Sequence, residues 1–139
     1  MTQISFNVTP ELYLKQKLTI KKDIIIDRKS KYTVVAAYVE SSDEVDKFLK
    51  YLLTDKYFQK STHNTYAYRI KLPNNSILES KNDDWETWAW MCILREIQRA
   101  WWVNMCIVVT RYFGGIKLET DRYKNVIDAC KMFFDDIIN

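Results

Sequence analysis

The sequence predicts an α+β fold, a two-layer sandwich in which helices pack on one face of a mixed β-sheet. Short β-branched runs alternate with segments whose apolar residues recur at helical spacing, in the order β-β-α-β-(β)-α-β-α. Of the 139 residues, 47% are hydrophobic and 14% aromatic, which is enough for one packed core and argues against disorder. The only two glycines, Gly114 and Gly115, are adjacent and indicate a strand-to-helix turn.

The first predicted elements are a short helix and a β-hairpin. Thr9 can cap a helix that has Pro10 at its first position and extends to about Lys17. Residues 24–26 and 32–39 are β-branched and apolar, and they predict two strands. The polar residues 27–30, Asp-Arg-Lys-Ser, predict the turn between them.

The middle of the chain predicts a helix followed by a half-buried strand. Ser41 and Glu44 have the spacing of a capping box. The apolar residues that follow have helical spacing, and they are Val45, Phe48, Leu49, Leu52 and Leu53. Residues 64–72 alternate between two faces, as a half-buried strand does. Residues 73–75, Pro-Asn-Asn, predict a turn, and residues 76–79 a returning strand.

The last third predicts a helix, a central strand and a final helix. Asp83 and Asp84 suit the positive end of a helix over residues 85–100. The core stripe of that helix is Trp90, Ile93, Leu94, Ile97 and Trp101. Residues 105–109 form a continuous apolar run, typical of a strand buried on both faces. Thr120 or Asp121 caps the final helix, whose apolar stripe is Tyr123, Val126, Ile127, Cys130, Phe133, Phe134 and Ile137.

Net charge, apolar run lengths and cysteine positions indicate the partners and the cell compartment that we expect for this protein. The net charge of +3 is mildly basic, which allows contact with RNA or phosphate groups. No apolar run has the length of a membrane span, and the N-terminus lacks the pattern of a signal peptide, so we expect a cytoplasmic protein without membrane contact. Cys92, Cys106 and Cys130 lie in apolar segments without metal-ligand spacing, which indicates buried, reduced thiols.

Four polar clusters stand at the ends of predicted elements, where they can converge on one rim. They are residues 27–30, His63 with Asn64, Asp83 and Asp84 with Glu86, and Arg111 beside Gly114 and Gly115. Each cluster has a structural alternative. His63 can be a surface residue instead of a catalytic base. The acidic group can be a helix cap instead of a cation site. Arg111 can pair with Asp83 or Asp84 instead of binding a phosphate group. The glycine pair lacks the other residues of a dinucleotide or P-loop motif.

The four clusters, in this order, resemble the YigZ/IMPACT family. The resemblance is carried by Asp-Arg-Lys-Ser at residues 27–30, Thr-His-Asn-Thr-Tyr-Ala-Tyr-Arg-Ile at 62–70, Asn-Asp-Asp-Trp-Glu-Thr at 82–87 and Val-Val-Thr-Arg-Tyr-Phe-Gly-Gly-Ile-Lys-Leu at 108–118. Residues 121–123, Asp-Arg-Tyr, are most similar to the eukaryotic IMPACT branch. The resemblance covers about residues 20–138 and implies a fold similar to the second domain of ribosomal protein S5. We therefore expect an extension over residues 1–19 and the family domain over residues 20–139.

The resemblance also implies a function in translation. Eukaryotic family members associate with ribosomes and oppose activation of the amino-acid-starvation kinase by competing for its ribosome-bound co-activator. They carry an N-terminal RWD domain, for which too few residues precede the family domain here, so we expect an isolated family domain. The implied protein is a non-enzymatic regulator of translation under stress. Its expected partners are the ribosome or a ribosome-associated regulator, with contact to ribosomal RNA, and it needs no cofactor or metal.

The binding hypothesis assigns roles to the polar clusters. Arginine offers rigid bidentate donors to phosphate or to an acidic surface, and the basic residues concerned are Arg28, Lys29, Arg69 and Arg111. His63 and Asn64 would add hydrogen bonds. The acidic residues that would orient the arginines are Asp83, Asp84 and Glu86. The predicted binding set is completed by Ser30, Gly114, Gly115 and Lys117.

The tryptophans depart from the family pattern. Trp85, Trp88 and Trp90 stand where the family has glycine and other small residues, and Trp101 and Trp102 add to them. Core repacking, a new aromatic contact surface or an altered sequence each account for this, and we expect at least one of these rings to face solvent or a partner. Two alternative functions follow. One is an enzyme that uses His63 and the acidic cluster around a divalent metal, and the other is a protein-interaction module that uses the tryptophan-rich helix.

Overall fold

The structure, a computed structural model, describes residues 11–80 and 88–138, which form a five-stranded sheet and four helices. The strands are β1 (Leu18–Asp27), β2 (Ser30–Tyr38), β3 (His63–Lys71), β4 (Ile77–Glu79) and β5 (Met105–Tyr112). The helices are α1 (Ser42–Leu52), α2 (Lys56–Gln59), α3 (Ala89–Arg99) and α4 (Asp121–Ile138). The α+β class and the predicted element order are confirmed, and α2 is an addition to that order.

The sheet has the strand order β1-β2-β5-β3-β4, with β5 at its centre. Neighbouring strands pair in antiparallel fashion throughout, and Val108 of β5 lies between Val35 of β2 and Tyr66 of β3. The parallel component of the expected mixed sheet is limited, within the described ranges, to an isolated bridge between Leu12 and Trp102.

Helices cover both faces of the sheet, which corrects the expectation that they pack on one face only. On the first face, α3 and α4 pack against Val34 of β2 and Ile107 of β5. On the second face, α1 and α2 pack against the alternate residues Val35 and Val108. The physical reason is that successive side chains of a strand point to opposite faces, so the apolar run of β5 needs cover on both sides.

Residues 11–17 are not helical, so the prediction of an N-terminal helix up to Lys17 is wrong for this part of the chain. Leu12 instead lies beside the loop after α3. Its backbone nitrogen donates to the Trp101 carbonyl oxygen at 2.8 Å, and its own carbonyl accepts from the Val103 nitrogen at 3.0 Å. These tertiary hydrogen bonds replace those that a helix would supply. Thr9 and Pro10, the predicted start of the helix, lie outside the described residues.

The helix ends show two kinds of local signal. The Ser41 hydroxyl accepts from the Glu44 nitrogen at 3.2 Å, which confirms the predicted cap of α1. At α3, Trp88 occupies the N-cap position with φ 76° and caps no backbone group with its side chain. Beyond the other end of α3, Trp101 has φ 64°. Backbone hydrogen bonds from residues 101 and 102 back to Gln98 and Ile97 form a Schellman motif there.

Candidate functional site

Three of the four predicted clusters meet at one end of the sheet. The starts of β2 and β3 lie beside the end of β5, so Arg111 pairs with Tyr32 on one side and His63 on the other. The turn of residues 28–29 precedes β2 at this same end. The fourth cluster, Asp83 and Asp84 with Glu86, lies outside the described residues.

The glycine pair packs against the β1–β2 turn. The hydroxyl of Ser30, which is fully buried, accepts a hydrogen bond from the Gly114 nitrogen at 3.0 Å. A Cβ added at Gly114 would lie 2.2 Å from the carbonyl carbon of Lys29, so no larger residue fits without moving this backbone. Gly115 has φ +92° and open space around it, so its requirement is conformational. The close approach of the two turns therefore explains Gly114, and the left-handed backbone explains Gly115.

Arg28 is held between two carboxylates. Its guanidinium Nη2 contacts Asp27 Oδ2 at 2.9 Å and Asp121 Oδ2 at 2.6 Å. The Asn125 amide also donates to Asp27 Oδ2, at 2.9 Å. The hydrogen bonds from Arg28 and then Asn125 lower the pKa of Asp27 to about 2, and those to Asp27 and Asp121 raise the pKa of Arg28. This network, which we call the Arg28 clamp (Asp27, Arg28, Asp121 and Asn125), ties the β1–β2 hairpin to α4.

Sequence reasoning did not place Asp121 or Asn125 in the site. Arg28 and Asp121 are 93 positions apart, so no local pattern links them. The sequence signal that could have identified Asp121 is the Asp-Arg-Tyr motif at residues 121–123. That motif indicated the family branch, but it did not show which residue Asp121 contacts. The clamp places Arg28 in an internal ion-pair network with both acidic partners.

The polar side chain of Asn64 is used within the fold. Its Nδ2 donates to the Phe58 carbonyl oxygen at 2.9 Å, and its Oδ1 accepts from the Thr110 hydroxyl at 2.7 Å. Asn64 therefore fastens the segment around α2 to the sheet. Thr62 is not among the predicted site residues, and its backbone nitrogen donates to the Arg111 carbonyl oxygen at 2.9 Å.

Arg69 lies away from the other basic residues. It pairs with Met105 at the opposite end of β5. Its Nε lies 3.3 Å from a Glu79 carboxylate oxygen, and its Nη1 donates to the Trp102 carbonyl at 3.1 Å. The structure thus separates Arg69 from Arg111 and gives it contacts to β4 and the loop after α3.

The surface at the convergence point combines cations with exposed apolar side chains, and we call it the β5-turn surface (Lys29, Arg111, Phe113, Ile116 and Lys117). Both lysines are exposed and the arginine is partly exposed. Phe113 and Ile116 expose 46% and 45% of their surface, and Arg111 Cζ lies 6.0 Å from the centre of the Phe113 ring. Sequence reasoning missed the two apolar residues, because a turn motif does not show which side chains stay uncovered. The sequence signal that could have identified Phe113 and Ile116 is their position on either side of the glycine pair, where two large apolar residues stand in a turn.

Within residues 11–80 and 88–138, no group of three or more His, Cys, Asp or Glu residues is placed to hold a metal ion. Cys106 and Cys130 are buried, and burial raises the pKa of both thiols, whereas Cys92 is partly buried. In the same two ranges, no helix combines the length and the apolar character that crossing a membrane requires.

The chain is similar to proteins described as IMPACT. Residues 28–133 match the Impact N-terminal domain family. The Protein IMPACT homolog of Dictyostelium discoideum is 37% identical over 130 residues, which are 94% of this chain and 34% of that protein. The homolog of Schizosaccharomyces pombe is 35% identical over 107 residues, 77% of this chain and 38% of that protein. The chain therefore spans about a third of the length of these curated relatives.

Solved structures agree with the fold. The two-domain translational regulator Yih1 has a TM-score of 0.60 and 29% identity, covering 95% of this chain and 50% of that one. A structure described as a hypothetical protein has a TM-score of 0.65 and 15% identity, covering 87% of this chain and 56% of that one. At that identity the second likeness concerns the fold alone.

Proposed function

Because the chain belongs to the Impact N-terminal domain family, we propose that it is a non-enzymatic binding domain that regulates translation by docking on the ribosome or a ribosome-bound regulator. The description of Yih1 as a translational regulator supports this proposal. The observation that carries it is the convergence of Lys29, His63 and Arg111 on the turn that contains the glycine pair. Modulation of translation under stress is the role that we assign to the docking.

The charge distribution supports a negatively charged docking partner. Arg28 is paired with Asp27 and Asp121, so its charge is used within the fold. Lys29 and Lys117 are exposed and flank the packed turns. Cations on an anchored backbone suit phosphate groups or an acidic protein surface.

Ribosome co-sedimentation over a salt series tests the proposal. We expect the purified protein to sediment with ribosomes at low salt and to dissociate as salt rises. Arg111→Ala and Lys29→Ala should each weaken this binding. Lys47→Ala is the matched control, because Lys47 is an exposed lysine on α1, which covers the other face of the sheet. Absence of co-sedimentation at low salt, or full binding by Arg111→Ala, would contradict the proposal.

A second candidate is a protein-interaction module that uses the ends of α3. Trp88 and Trp101 expose 58% and 47% of their surface, and exposed tryptophan is enriched at protein interfaces. This function predicts a partner whose binding resists salt and is lost in Trp88→Ala and Trp101→Ala. Salt-sensitive binding that tolerates both changes would exclude it.

A further inference from the structure

We propose that the β5-turn surface binds single-stranded RNA, with Phe113 stacking on an unpaired base while Lys29, Arg111 and Lys117 contact phosphates. This inference rests on the proposed docking function and names the chemistry of the docking partner. It assigns a role to Phe113, which the cationic docking hypothesis leaves without one.

The Phe113 ring is presented by an anchored backbone. The Phe113 nitrogen donates to the Thr62 hydroxyl at 2.8 Å, and the next nitrogen, that of Gly114, donates to the Ser30 hydroxyl at 3.0 Å. These bonds tie the turn to the starts of β3 and β2. A ring on a fixed backbone loses little conformational freedom when it binds, which favours its use as a contact.

The surroundings of the ring suit a planar base. Nearly half of the Phe113 surface is accessible, and the Arg111 guanidinium lies 6.0 Å from the ring centre. Apart from Gly115 and its two chain neighbours, no described residue has an atom within 4 Å of the position that a Cβ on Gly115 would occupy, so space is open beside the turn. An aromatic ring stacks on any base, and nearby cations neutralise the backbone of the same strand.

The composition of the surface favours a single strand over other partners. The exposed large apolar residues of this surface are Phe113 and Ile116. Together they offer far less apolar area than the core of a typical protein–protein interface. A duplex keeps its bases stacked and would leave the Phe113 ring without a partner. An unpaired strand offers both bases and phosphates to one small surface.

Fluorescence anisotropy with a labelled ten-residue uridine oligonucleotide tests the inference directly. We expect binding at low salt, with Phe113→Leu weakening the affinity roughly tenfold because leucine has no ring to stack. Phe113→Tyr should retain most of the affinity, since it keeps an aromatic face. Tyr51→Ala is the matched control, because Tyr51 is an exposed aromatic residue on α1. Melting temperatures of the four proteins verify that each is folded.

Competition assays separate the alternative partners. Unlabelled single strand should displace the oligonucleotide better than an RNA duplex or polyglutamate does. Equal affinity of the wild-type protein and Phe113→Leu, or better displacement by duplex or polyglutamate, would overturn the inference. If ribosomes co-sediment in an Arg111-dependent manner but the oligonucleotide does not bind, the docking function stands and the RNA inference fails. If the oligonucleotide binds through Phe113 but ribosomes do not co-sediment, the docking function fails by itself.

Discussion

The turn after β5 and the end of α3 both need left-handed backbone, but they obtain it with different residues. Gly115 adopts φ +92° after β5, whereas Trp101 adopts φ 64° after α3. A side chain in this region is disfavoured because its Cβ crowds the following carbonyl oxygen. At Trp101 the Schellman hydrogen bonds hold the conformation, and the neighbouring Trp102 ring stacks on Phe134 with centroids 5.7 Å apart. The comparison shows that packing can enforce a conformation that the residue itself resists.

The glycine turn has a second requirement besides the left-handed backbone that it shares with the end of α3. Gly114 is needed because the Lys29 backbone lies against it, and Gly115 because of its φ value. At the α3 end, Trp101 carries a large, half-exposed ring, and only its carbonyl oxygen is approached by the backbone of Leu12, at 2.8 Å. Substitutions that separate crowding from backbone conformation therefore test whether the two sites differ in this way.

The largest effect is expected from Gly114→Ala, which places a methyl group against backbone atoms of Lys29. We expect the free energy of unfolding to fall by about 3 kcal/mol, the upper part of the usual cost of overpacking. Urea denaturation monitored by tryptophan fluorescence measures it. A loss below about 1 kcal/mol would mean that the β1–β2 turn moves aside easily and that crowding does not explain Gly114.

The next largest effect is a difference in stability between two variants of Trp101, both of which lack the indole ring. Trp101→Gly should be more stable than Trp101→Ala by about 1 to 2 kcal/mol, because only alanine retains the Cβ that disfavours a positive φ. This order is the reverse of that inside a helix, where alanine is favoured. Denaturation curves of the two variants measure the difference, and equal stability would show that the left-handed backbone at residue 101 depends on the tryptophan itself.

Gly115→Ala isolates the conformational term at the glycine turn. The position has φ +92° and open space, so we expect a destabilisation of about 1 kcal/mol without steric conflict. The same denaturation assay applies. A cost as large as that of Gly114→Ala would contradict the separation of the two glycine roles.

The smallest effect is a pH dependence beside the glycine turn, where the Arg28 clamp ties the β1–β2 hairpin to α4. The pKa of Asp27 is lowered from 3.8 to about 2, so its contribution to stability is present above the ordinary pKa and is lost as the pH falls through the lowered one. We expect Asp27→Asn to melt slightly below the wild-type protein at about pH 6, and the gap to close towards about pH 2. A gap that stays constant over this range would show that the Asp27 charge does not stabilise the Arg28 clamp.

Local patterns predicted most of the fold and less of the site. The α1 cap and the apolar run of β5 were correct because each depends on neighbours within a few residues. The helix α2 was missed because its four residues are too few to show periodicity. Helices were expected on one face, since the alternation within β2 and β5 does not say which helix covers which side.

The sequence alone determined the order of the five strands and the three longer helices and the turn that needs glycine, because side-chain spacing and backbone freedom are local properties. The tertiary structure alone decided how the polar residues are used. In the folded chain, His63 lies beside Arg111 and Arg28 contacts Asp121. Arg69 lies at the far end of β3, and Phe113 is exposed. The physical reason is that these contacts join residues tens of positions apart, so they depend on strand register and layer packing.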